Sequence, residues 1–309
     1  MSALPLDWLL SPAALAILGL AVGSFLNVVI HRLPLMLERQ WWGDVAHQLA
    51  DSASYRRVFG VPAPRDLALA GESVQKAAEA LPRLNIAVPA SRCPSCGHAI
   101  RWYENIPVVS WLALRGRCSA CKAPIAWRYP FVEILTALLF AGVAARLGAQ
   151  PATLMWCVVV AVLLALSAID WDTTVLPDAM TLPLLWAGLA AAAAGWSGLA
   201  LQAALVGTAV GYLSLWSVYW LFKLATGKEG MGYGDFKLLA AIGAWLGWQA
   251  ILPVVLMASV IGAVIGIGMK LSGALREGRY VPFGPFLAGG GMVVILIGLE
   301  PVLAFIGWA

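Results

Sequence analysis

From Pro130 onward the chain is a succession of apolar runs, most of them about long enough to carry a helix across a bilayer, joined by short polar stretches. A helix needs roughly 20 residues to cross the hydrocarbon, and backbone immersed in lipid can satisfy its own N–H and C=O groups only as a helix or a closed barrel. The runs predict spans at about 131–147, 153–169, 180–196, 199–222, 237–248, 251–271 and 283–305. Another, about Trp8–Ile30, precedes a long polar insertion. The expected fold is therefore an all-α polytopic membrane protein with about eight transmembrane helices. Of 309 residues 61% are hydrophobic and 12% charged, where a soluble domain carries about a quarter charged; an ordinary globular enzyme is excluded. The first run has neither a basic lead-in nor a small-residue cleavage site, so it is read as a retained span rather than a signal peptide.

Three segments follow from this: 1–34 as the first span, 35–129 as an extramembrane insertion, and 130–309 as a seven-helix membrane core. Asn27, polar and near the end of the first span, reads as a helix-packing hydrogen bond, and Pro34 as the stop of that helix. Residues 38–89 suggest one or two short helices acting as spacer. The segment 237–248 is short, and glycines at 243, 247, 262 and 266 suggest that it forms a tight hairpin with 251–271.

Inside the insertion, Cys93-Pro94-Ser95-Cys96 and Cys118-Ser119-Ala120-Cys121 are separated by 21 residues. Two such knuckles supply four thiolates to one tetrahedral ion, so Cys93, Cys96, Cys118 and Cys121 are expected to form a zinc-ribbon-like site. A closed four-sulfur shell leaves no place for water, which makes the zinc structural. His98 is the alternative ligand. A redox role lacks a βαβ context around either pair.

Charge sets the orientation. If the insertion is cytoplasmic, Lys223, Lys228, Lys237, Lys270, Arg276 and Arg279 lie on or near the same side, and Arg146 alone marks the other. The positive-inside rule then places both termini outside.

The same side receives the chemistry. Asp170 ends the third span and Asp235 begins the sixth, 65 residues on, so topology puts two carboxylates at one depth. Carboxylates sharing a low-dielectric site cannot easily both ionise; one keeps a proton as acid while the other activates water. Metal-free hydrolysis of a peptide bond is the expected use. Asp235 also follows Gly230, Gly232 and Gly234, a loop suited to close backbone approach, and Gly232 and Gly234 are expected to admit substrate beside Asp235. Asp172, Asp178 and Glu229 lie in the loops carrying the pair, and their negative field is expected to hold a basic substrate segment. Nucleotide binding is rejected, because Gly227-Lys228-Glu229 lacks the hydroxyl that follows a phosphate-loop lysine. No G-x-S-x-G or HExxH occurs, and the histidines are His31, His47 and His98. A transporter with an aspartate relay, or an inactive scaffold, would be the other classes; only the scaffold leaves the aspartate pair unexplained.

Gly230-Met231-Gly232-Tyr233-Gly234-Asp235 matches the GxGD motif of intramembrane aspartic proteases. With Asp170 and Leu176-Pro177-Asp178 the chain resembles the bacterial prepilin peptidases. Gly23–Pro34, the paired CxxC, Glu104–Pro107, Arg128–Pro130, Gly227–Gly230 and Pro282–Pro285 extend the resemblance over nearly the whole length. It implies removal of the basic leader of type IV prepilins or type II secretion pseudopilins at the cytoplasmic face of the bacterial inner membrane. It also implies methylation of the new amino terminus from S-adenosylmethionine, for which no residues can be assigned, and no nucleic-acid partner. A family member that cleaves without methylating is the near alternative.

Overall fold

The computed structural model describes residues 6–273 and 281–308, so Arg276 and Arg279 lie outside the described residues. Among these it is all-helical: α1 (Leu6–Leu9), α2 (Pro12–Ala50), α3 (Ser52–Phe59), α4 (Arg65–Glu79), α5 (Val109–Ala113), α6 (Arg128–Leu147), α7 (Pro151–Thr173), α8 (Asp178–Ala193), α9 (Leu201–Thr226), α10 (Tyr233–Leu246), α11 (Ile251–Leu271), α12 (Gly284–Ile297) and α13 (Leu299–Phe305). Each of the eight apolar runs is helical. Five of the helical stretches are long and apolar enough to cross a membrane: α2, α6, α7, α9, and Trp248–Leu271, which contains α11. α8 and α10 are shorter, at 16 and 14 residues; 14 residues rise only about 21 Å.

The run at 283–305 is not one straight span. α12 and α13 meet at 111°, with Gly298 at the corner in a positive-φ conformation (φ 109). At the turn the Arg146 guanidinium donates to the carbonyl of Ile295 and to that of Val294, which also accepts the Gly298 N–H. Pro34 likewise does not stop the first helix, which continues to Ala50. A proline deletes one N–H donor, and the strong helix formers after it, Leu35 to Gln40, carry the helix on.

The chain divides into two compact units, Met1–Asn27 with Trp102–Ala309, and Val28–Arg101. In the first, α10 is the innermost element: Phe236, Leu238, Leu239, Ala241 and Ala244 are fully buried. It lies among α8, α9 and α12. Glycines let α9 in: a methyl group at Gly211 would meet the Leu239 carbonyl oxygen at 2.6 Å, and one at Gly207 would meet Gly243 and Gly247. The hairpin expected between 237–248 and 251–271 is therefore replaced by a tight α9/α10 pair, while Gly262 faces Phe286 of α12. α2 crosses α6 by the same device, Gly19 over Ala137 and Gly23 over Glu133, and Asn27 donates to the Tyr129 carbonyl at 3.1 Å as a packing bond.

In the second unit, the end of α2 packs on α4 where Gly71 lies against Ala46 and Ala50. Arg32 and Arg39 of α2 donate to the carbonyls of Asn85, Ile86, Pro89 and Pro82, tying down the loop after α4. The short helices expected in 38–89 are α3 and α4.

Candidate active site

Asp170 lies in the last turn of α7, where the backbone leaves the helix through Thr174 in a left-handed conformation (φ 55). Asp235 is the third residue of α10, whose N-cap is Gly232. Both carboxylates are buried, 4% and 7% exposed, and Leu176 links their surroundings: it lies against Gly234, next to Asp235, and against Gly284, which bonds Asp170. The structure thus brings together, inside the helix bundle, two acids far apart in sequence.

A third segment completes the pair. Gly284, at the start of α12, donates its N–H to Asp170 Oδ2 at 3.1 Å. A methyl group at this glycine would lie 2.5 Å from that oxygen. Leu176, in the loop between α7 and α8, fills the space beside both Gly234 and Gly284; a methyl at Gly234 would meet Leu176 Cβ at 2.8 Å. Gly234 is accordingly needed for the α7–α8 loop to close on α10. Gly232 has nothing within 4 Å of its missing side chain and is the glycine that leaves open space near Asp235. Reading the sequence assigned no role to Gly284; the Pro282–Pro285 motif was its only signal.

The three acids expected to attract a basic substrate each have an internal partner. Asp172 pairs with Arg128 at 2.5 Å, Asp178 with Lys237 at 2.7 Å and Glu229 with Lys223 at 2.8 Å. The Lys223 ammonium holds the Glu229 carboxyl below the usual carboxylate range. Paired charges of opposite sign leave little net field, so these residues act chiefly as ties: the head of α6 to the end of α7, the head of α10 to that of α8, and the end of α9 to the loop before α10. Exposed ties of this kind contribute little to stability.

Glu133 was also missed. It is buried in α6 and accepts the Val108 N–H at 2.7 Å. Val108 has φ 59 and ψ −47, and its neighbours close an i to i+2 bond, Val109 N–H to the Pro107 carbonyl at 2.5 Å. A β-branched residue in such a turn is strained, and the Glu133 bond offsets part of that cost.

The four cysteines meet. Their sulfurs all lie within 4.8 Å of one another, Cys93 and Cys118 buried, Cys96 and Cys121 exposed. Each knuckle closes by the same turn: Gly97 N–H donates to the Cys93 carbonyl at 2.9 Å, Lys122 N–H to the Cys118 carbonyl at 3.1 Å. Sulfurs about 2.3 Å from a tetrahedral zinc stand about 3.8 Å apart, so the donor set fits a metal ion.

A family model described as the Type IV leader peptidase family matches residues 157–267, and one described as the Bacterial Peptidase A24 N-terminal domain matches residues 17–147. A prepilin leader peptidase/N-methyltransferase of Aeromonas hydrophila is 51% identical over 280 residues, 91% of this chain and 88% of that protein. Proteins of the same description from Stutzerimonas stutzeri and Pseudomonas aeruginosa are 48% and 46% identical, each across 95% of this chain and covering 93% and 92% of theirs. No solved structure matches the chain.

Proposed function

Because the chain belongs to the type IV leader peptidase family, we propose that Asp170 and Asp235 are the acid–base pair with which it cuts the leader from prepilins or pseudopilins. The observation that carries this reading is the convergence of two buried carboxylates from α7 and α10, one of them fixed by the Gly284 N–H. One carboxylate takes a proton from water as its oxygen adds to the scissile carbonyl carbon, and the other gives its proton to the carbonyl oxygen. Collapse of the tetrahedral intermediate breaks the C–N bond: the leaving amine receives a proton from the acid formed in the first step, and a hydroxyl of the intermediate returns its proton to the other carboxylate. The Gly284 N–H bonds Asp170 Oδ2 and so helps to fix the orientation of that carboxylate.

In this reading residues 35–129 stand on the cytoplasmic side of the inner membrane and the aspartates share that face. Cys93, Cys96, Cys118 and Cys121 hold a zinc ion whose chemistry is structural, cross-linking a loop with few buried apolar residues. N-methylation of the new amino terminus uses S-adenosylmethionine. A cavity of about 300 Å³ lined by Leu33, Met36, Leu37, Arg39 and Leu81 does not fit that donor: its charged group is a cation, which repels a sulfonium. No methyl-transfer step is therefore assigned to residues.

Mass spectrometry of a purified prepilin incubated with the reconstituted enzyme tests the reading. The expected product lacks the leader and gains one methyl group when the donor is present, and Asp170→Asn or Asp235→Asn leaves the prepilin intact. A correctly folded variant that still cuts at the normal rate removes that residue from the pair.

A further inference from the structure

We propose that the segment Trp102–Ala113, between the two cysteine pairs, is an interfacial anchor that lies in the bilayer surface beside the head of α6. Ile106, Val109 and Leu112 recur every third residue and all point outward, Val109 59% and Leu112 62% exposed. Ser110, Trp111 and Leu114 take the opposite, partly covered side. In water this inverts the normal arrangement of a short helix, and a contiguous apolar face of this kind marks a contact surface. Trp102, 80% exposed, adds an aromatic ring at the start of the segment.

Two bonds fix the height of this face. The Val108 N–H is held by Glu133, the sixth residue of α6, and Trp111 Nε1 donates to the Ile125 carbonyl at 3.3 Å, just before α6 begins. α5 is thereby pinned level with the first turns of a membrane span.

Lipid is the occupant for two reasons. The head of α6, to which the segment is pinned, carries an exposed apolar flank of its own, Phe131, Ile134 and Leu138, and exposed Trp127 stands just before it, its ring centroid 5.3 Å from that of Phe131. Tryptophan at a span mouth is the usual mark of the headgroup level. Exposed Arg115, Arg117 and Lys122 follow the segment in sequence and are complementary to the anionic phosphates of a leaflet surface. A short apolar face flanked by cations is the composition of a helix lying in the interface.

The test places a nitroxide amino acid at Val109 and, separately, at Leu112 of the full-length protein in phosphatidylglycerol/phosphatidylethanolamine vesicles. Collision rates with oxygen, which partitions into lipid, and with a water-soluble nickel chelate are compared with those of labels at Leu138, on the outside of α6, and at Glu72, exposed on α4. The expected oxygen-to-nickel ratio at both positions is several-fold above that of Glu72 and approaches that of Leu138. Ratios equal to that of Glu72 overturn the proposal. So does a ratio that rises only after prepilin is added, which would make the face a substrate dock.

Discussion

At Gly284 there is no room for one methyl group beside the Asp170 carboxylate. Its missing side chain leaves 2.5 Å to Asp170 Oδ2, far inside van der Waals contact, so Gly284→Ala should turn the Asp170 carboxylate or push α12 away. Cleavage is expected to fall by about 10²-fold, the scale of a misplacement of about 1 Å, with the variant still monodisperse in detergent. Gly289→Ala, farther along the same helix, is the counterpart: nothing lies within 4 Å of that position, so its rate should stay within about twofold of wild type. Equal loss in both variants would show that the packing of α12, and not the Asp170 contact, is what Gly284 serves. Asp170 and Asp235 were legible in the sequence because an acid at the end of an apolar run has few structural uses. Gly284 was not, since its contribution is a backbone N–H delivered from 114 residues away, and backbone donors carry no residue signature.

Among elements, the α9/α10 contact decides whether Asp235 is held. Gly207 and Gly243 touch backbone to backbone, so Gly243→Leu should cost at least the 1–3 kcal/mol of ordinary overpacking and lower the detergent melting temperature. Gly268→Ala, with nothing within 4 Å, should leave that temperature unchanged. A stable Gly243→Leu protein would refute the close crossing. The eight apolar runs could be read from composition alone, because burial in lipid or protein demands apolar side chains wherever a run lies. Their pairing could not: Gly243 and Gly247 announce close contact without naming the partner, which proved to be α9 and not α11. The bend at Gly298 was hidden for a related reason. Hydropathy is blind to direction, and the corner depends on Arg146, which the sequence showed only as a lone cation. The acids Asp172, Asp178 and Glu229 were visible as charges near the site, but their pairing with Arg128, Lys237 and Lys223 is a matter of helix order that spacing does not reveal.

For the whole molecule, the four-cysteine cluster and the aspartate pair make separable demands. Elemental analysis of purified protein should find one zinc per chain, and Cys118→Ser should lose it. Proteolysis should then open the 93–121 stretch while the membrane spans keep their circular dichroism. Global loss of helix on zinc removal would contradict a local cross-link. The central claim is that Asp170 and Asp235 act on water as one unit. Single-turnover cleavage of a full-length prepilin by wild type, Asp170→Asn, Asp235→Asn and the double variant tests it most directly. Each single substitution should cost about 10²–10⁴-fold, the range for lost acid–base catalysis, and the double variant should cost no more than either, as groups that work together are non-additive. Multiplying losses, or a single variant at wild-type rate, would contradict the pair.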